Sequence, residues 1–97
     1  MKYRSRADII AMILQGANNG ATKTRLMYGA YLSYTMTQEY LVFLQKKGLI
    51  LYEEEAQKYR LTEKGLQFLR CYDQISDILD IARPSIPQRM KVPIITS

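Results

Sequence analysis

The residues of this 97-residue chain best suited to chemistry are cations and amides, not nucleophiles. There is no histidine, which removes any His-based triad and any imidazole metal ligand. The single cysteine, Cys71, can form neither an internal disulfide nor a zinc-finger ligand set. Glu53, Glu54 and Glu55 are consecutive, so on a strand they alternate faces and do not converge as an acid/base pair or a metal site. No Gly-rich phosphate loop is present. The sequence therefore reads as a non-enzyme with no cofactor and no metal.

What remains is binding. Arg4, Arg6, Lys23 and Arg25 suit phosphates, and the last two lie near a helix start, where backbone amides also point outward. Tyr34, Thr35 and Gln38 fall in the first two turns of a helix, where side chains enter a major groove. Gln can pair bidentately with adenine, and Thr can touch a base edge or a thymine methyl. Tyr34 reads equally well as a packing residue. Lys58 and Arg60 add cations further along the chain.

The distribution of charge agrees. The net charge is +5, and all of it lies in residues 1–52, which hold seven basic residues against Asp8 and Glu39. Residues 53–97 are balanced, seven against seven. A basic half of this kind faces phosphates or belongs to a merely soluble basic protein; charge alone does not choose. No apolar run approaches the roughly 18 residues needed to span a membrane. The start MKYRSRAD has no apolar core of a signal peptide. One cysteine fits a reducing cytoplasm.

The elements that must position these residues follow from caps and periodicity. Ser5 and Asp8 have capping-box spacing and open a helix to Ala17, with Ile9, Ile10, Ile13, Leu14 and Ala17 on one stripe. Asn18, Asn19 and Gly20 end it. Thr22 caps a second helix, in which Gly29 reads as a point of close helix–helix approach. Ser33 caps a third, with Thr37, Leu41 and Leu44 facing inward and Tyr40 beside them. Lys46 and Lys47 suit its negative end, and Gly48 stops it. Leu49–Leu51 begins a strand, Glu54–Gln57 is a polar turn, and Lys58–Leu61 returns as a second strand. That order is helix-turn-helix plus wing.

Thr62 caps a last helix reaching about Ala82. Phe68, Tyr72, Ile75, Leu79 and Ala82 recur at heptad spacing, with Cys71 and Ile78 widening the seam. Twenty residues extend about 30 Å, more than one such body needs to cover itself. The distal half is expected to pair with a second copy; packing within its own domain is the other reading. Arg83-Pro84 ends the helix, and three prolines mark the tail, which is disordered or lies extended on the partner.

The run TKTRLMYGAYLSYTMTQEYLVFLQKKGLI, followed by a hairpin ending KYRLTEKG, resembles the archaeal winged-helix DNA-binding proteins of the Sso-ten-a type over roughly residues 5–82. The TKTR-x-MYGA-x-LSY stretch is the specific part. The resemblance implies double-stranded DNA binding, a homodimer through an antiparallel coiled coil, and a chromosome-associated or regulatory role. Two features depart from it. Glu39 and Val42 occupy an outer face where related sequences carry basic residues, beside a Phe43 that spacing leaves exposed. Glu53–Glu55 make the wing acidic. They leave open a protein-interaction module that docks a partner at Val42 and Phe43.

The expected fold is mostly α (α+β): a winged helix-turn-helix over residues 1–62 with a two-stranded wing, a long C-terminal dimerisation helix over 63–82, and a Pro-containing tail over 83–97.

Overall fold

The computed structural model describes residues 4–79. Ala82 and the tail over 83–97 lie outside them. Within the described residues four helices and a hairpin follow one another as α1 (Arg6–Gly16), α2 (Lys23–Gly29), α3 (Tyr34–Lys46), β1 (Ile50–Glu53), β2 (Lys58–Leu61) and α4 (Glu63–Leu79).

Each helix begins where its cap predicts. The Ser5 hydroxyl accepts from the Asp8 amide at 3.1 Å, and the Asp8 carboxylate accepts from the Ser5 amide at 3.0 Å, a complete capping box. Thr22 and Ser33 do the same for Arg25 and Met36 at 3.2 and 3.1 Å, and Thr62 for Gly65 at 3.0 Å. The end of α3 is closed from outside. Gly48 takes φ +75°, which an L side chain rarely adopts. Thr62 Oγ1 donates to the Gly48 carbonyl, and Lys64 Nζ to the Lys47 carbonyl.

α1 is more than a supporting helix. Every residue from Ile9 to Leu14 is buried, Ala11 and Met12 included, so the single stripe expected from spacing becomes a helix covered on nearly all sides. α2 and α4 both pack on it. Leu26, Thr37, Leu41, Leu44, Ile50 and Leu69 complete the core around it. The buried Thr37 hydroxyl is satisfied by the Ser33 carbonyl at 2.8 Å.

β1 and β2 pair antiparallel, with Ile50 opposite Leu61, Tyr52 opposite Tyr59 and Glu53 opposite Lys58. Ala21 adds a further, one-residue rung, exchanging two backbone hydrogen bonds with Tyr59 at 3.0 and 2.7 Å. This rung ties the α1–α2 connection to the hairpin, and no sequence pattern announced it.

The close approach expected at Gly29 is made elsewhere. A Cβ at Gly29 would meet nothing within 4 Å. At Gly65 it would run into the Leu49 carbonyl, so it is α4 and the entry to β1 that need a missing side chain.

α4 is anchored at its proximal half. Leu69 is buried, and Phe68 and Tyr72 lie against the core with their rings stacked 6.3 Å apart. Tyr72 Oη donates to Asp8 Oδ1 at 2.5 Å, joining the last helix to the first turn of α1. Burial opposes ionisation of Asp8. The hydrogen bonds from Tyr72 and from the Ser5 amide and hydroxyl, with the charge of Arg4, outweigh it and hold the carboxyl below its ordinary 3.8.

Candidate nucleic-acid interface

At about 100° per residue, the inward side of α3 is Thr37, Leu41 and Leu44, and the side opposite is Thr35, Glu39, Val42 and Lys46. All four are exposed, Val42 at 49%. No other described element covers this stripe. Its two flanks are built differently, each around a cation.

On one flank Lys23, from the first turn of α2, reaches across to α3. Its ammonium lies 4.7 Å from the Tyr34 ring centre and donates to Tyr34 Oη at 3.1 Å and to Gln38 Oε1 at 2.5 Å. An ammonium has only donors, so it fixes the Gln38 amide with oxygen toward Lys23 and nitrogen outward. Three residues expected at the interface, Lys23, Tyr34 and Gln38, are thus one unit. Thr35 stands beside them, exposed.

On the other flank Arg6 stacks on α3. Its guanidinium carbon is 5.5 Å from the Tyr40 ring centre and 5.3 Å from that of Phe43, and Arg6 lines a shallow depression with Met36, Glu39, Tyr40 and Phe43. Lys47 covers Phe43 as well, at 5.7 Å. Phe43 is therefore half-buried against the core and shielded by two cations, which corrects the expectation that it is exposed. Of the apolar pair Val42–Phe43, only Val42 stands clear.

Arg4 is engaged in the fold. It donates to the Ala30 carbonyl at 2.6 Å, to the Tyr31 carbonyl at 3.2 Å and to Met12 Sδ at 3.2 Å. It closes the C-terminal end of α2, next to Tyr31, whose φ of +55° makes the turn into α3. Arg25, by contrast, is exposed. In the wing, Arg60 Nε pairs with Glu53 Oε1 at 2.7 Å, and its guanidinium lies against Gly20. Lys58 stays exposed at the wing turn. Among the described residues, the exposed cations whose side chains make no hydrogen bond, ion pair or ring contact include Arg25, Lys46 and Lys58.

A model of the winged helix-turn-helix family matches residues 3–80. The chain belongs to the winged helix-turn-helix family. Among solved structures it is similar to Sso10a-2, a DNA-binding protein from Sulfolobus solfataricus. The two share 29% identity and superpose with a TM-score of 0.71, over 79% of this chain and 83% of that one. No curated protein matches significantly. The expected likeness to the archaeal Sso-ten-a type is thereby found in both fold and sequence.

In winged-helix terms α2 and α3 are the helix-turn-helix, α3 stands in the place of the recognition helix, and β1–β2 is the wing. The distal part of α4 keeps one side on this body, where Ser76 is buried, and turns another side away from it. Ile75, Ile78 and Leu79 are 55%, 78% and 59% exposed, and Cys71 is exposed beside them. Of the expected dimer seam, Phe68 and Tyr72 are thus half-buried within the chain, and the other described positions project from it. Among the described residues no helix is long and apolar enough to cross a membrane, and no cluster of acidic, His or Cys residues could hold a metal.

Two features of the surface were missed by the sequence reading. Lys46 continues the Thr35–Glu39–Val42 stripe by one turn, which helical spacing alone would have shown. Tyr28 is 70% exposed and three residues after Arg25 on the outer side of α2. That spacing also was readable, but a tyrosine at such a place reads as packing.

Proposed function

We propose that this chain binds double-stranded DNA as a homodimer, without enzymatic activity, and acts in the cytoplasm on the chromosome as an organising protein or transcriptional regulator. The observation that carries the reading is the uncovered outer side of α3, presented by a winged helix-turn-helix with Arg25, Lys46 and Lys58 around it. The likeness to a DNA-binding protein from Sulfolobus supports it. α3 enters the major groove, Arg25 and Lys58 meet phosphates on either side, and Arg6 and Lys47 add charge near the end of α3. Ile75, Ile78 and Leu79, with Ala82 beyond the described residues, pair with a second copy, and the two α3 helices then meet successive turns of the duplex.

Fluorescence anisotropy with a labelled duplex of about 30 base pairs, long enough for half-sites roughly 34 Å apart, tests this. If about four phosphates are neutralised, raising salt from 50 to 200 mM should weaken binding about a hundredfold. Absence of binding at 50 mM salt, or an affinity indifferent to salt, would overturn the proposal.

A further inference from the structure

We propose that the outer surface of α3 selects G·C over A·T base pairs in the major groove, with Lys23 and Gln38 as its donors and Glu39 as its acceptor. The inference rests on the DNA-binding reading above and names what that surface recognises.

The donor side follows from how Lys23 holds Gln38. A free glutamine amide offers one acceptor and one donor in the arrangement that adenine matches with its N6 amine and N7. Here the amide oxygen is turned to Lys23 Nζ at 2.5 Å. What faces outward is the amide nitrogen. Lys23 has three N–H groups, of which Tyr34 Oη and Gln38 Oε1 take two. The third and the Gln38 amine are donors on one flank of α3. Guanine presents two acceptors, O6 and N7, to the major groove; adenine puts an amine where guanine has O6. The adenine reading expected for Gln38 from its type alone is thus replaced by a guanine reading.

The acceptor side is Glu39. It follows Gln38 by one residue, so it lies about 100° around the helix, at the middle of the outward stripe. It is exposed and makes no hydrogen bond or ion pair with the described residues. The nearby cation Arg6 is stacked on Tyr40 and Phe43 instead. An unneutralised carboxylate at this place repels phosphates on every duplex. The cytosine N4 amine offsets that repulsion, because a carboxylate accepts from it in the major groove; the adenine N6 amine is the other such donor, but it stands where the Lys23 and Gln38 donors need an acceptor. On a G·C pair, or on neighbouring pairs, donors of α3 meet acceptors and its acceptor meets a donor. On an A·T pair the adenine amine opposes the donor flank.

Inosine·cytosine duplexes separate this from minor-groove or shape effects. They carry the major-groove groups of G·C and lack the guanine N2 amine in the minor groove. The whole chain is titrated at 50 mM salt into three 30-base-pair duplexes, one each of G·C, I·C and A·T pairs. The expected order is G·C equal to I·C, both about tenfold tighter than A·T, the size of one well-made base contact. Gln38→Leu and Glu39→Gln, both at exposed positions, should each shrink the difference, and Glu39→Gln should strengthen A·T binding as it does so. Equal affinity for I·C and A·T, or a preference for G·C that I·C does not share, overturns this inference and leaves DNA binding standing. Failure to bind any of the three overturns both.

Discussion

Two arginines of the basic half do different work. Arg4 closes the end of α2 through the Ala30 and Tyr31 carbonyls, whereas the Arg25 side chain is exposed and makes no hydrogen bond or ion pair with the described residues. Arg4→Ala should lower stability by about 1–2 kcal/mol, read as a shift of the urea midpoint, because it strips charged hydrogen bonds from the Ala30 and Tyr31 carbonyls. It should leave the salt dependence of DNA binding unchanged. Arg25→Ala should do the reverse, moving stability by less than about 0.5 kcal/mol and reducing the salt slope by about 0.9 for each phosphate left without its cation. Asp8 is the residue whose contribution depends on pH. Its carboxyl sits below the ordinary 3.8 in the folded state, so its stabilisation is complete above that pH and fades as pH falls through the lowered value. Asp8→Ala should cost about 1–2 kcal/mol at pH 7, because it removes half of the capping box and the Tyr72 bond. The gap between variant and parent should narrow in acid, below the ordinary carboxylate value. A gap that stays constant down to about pH 2 would mean the Asp8 charge does not matter.

At the level of elements, glycine substitutions separate helix propensity from packing. Gly29 lies in α2 with open space where a Cβ would be, so Gly29→Ala should stabilise by about 0.5–1 kcal/mol. Gly65→Ala should destabilise by about 1–3 kcal/mol, since the backbone carbonyl of Leu49 cannot swing aside. Thermal melts of the two variants should move in opposite directions. The contrast also shows what could be read beforehand. Every helix start was legible, because Ser5, Thr22, Ser33 and Thr62 are local signals that act within three residues. The inner face of α3 was legible for the same reason. Which glycine a neighbour approaches depends on elements distant in sequence, so the close approach expected at Gly29 falls at Gly65. Likewise, charge type could not tell an arginine bound to carbonyls from one facing solvent. Arg4, Arg60 and Lys23 each meet a partner 7 to 27 residues away, which no spacing rule indicates. Gln38 does lie on the outer part of α3, as helical spacing indicates, but the direction of its amide is set by Lys23 on another helix.

For the whole molecule the question is how far it extends beyond one body. One side of α4 packs on the body as far as Ser76, and the distal half turns Ile75, Ile78 and Leu79 outward. Ile75→Glu combined with Ile78→Glu should turn a sedimenting dimer into a monomer with an unchanged far-UV spectrum, because both side chains stand clear of the fold. A dimer that survives the pair of changes would place the subunit interface elsewhere. DNA affinity should fall as dimerisation is lost, since two half-sites bound together reinforce one another. The Tyr72–Asp8 hydrogen bond bears on how the chain is made. It links residues 64 positions apart, and α1, buried from Ile9 to Leu14, is covered in part by α4. α1 therefore leaves the ribosome long before the helix that encloses it. Until α4 has emerged, a nascent chain holds its most apolar segment partly bare. A nascent chain cannot enclose α1 fully before α4 is available to it.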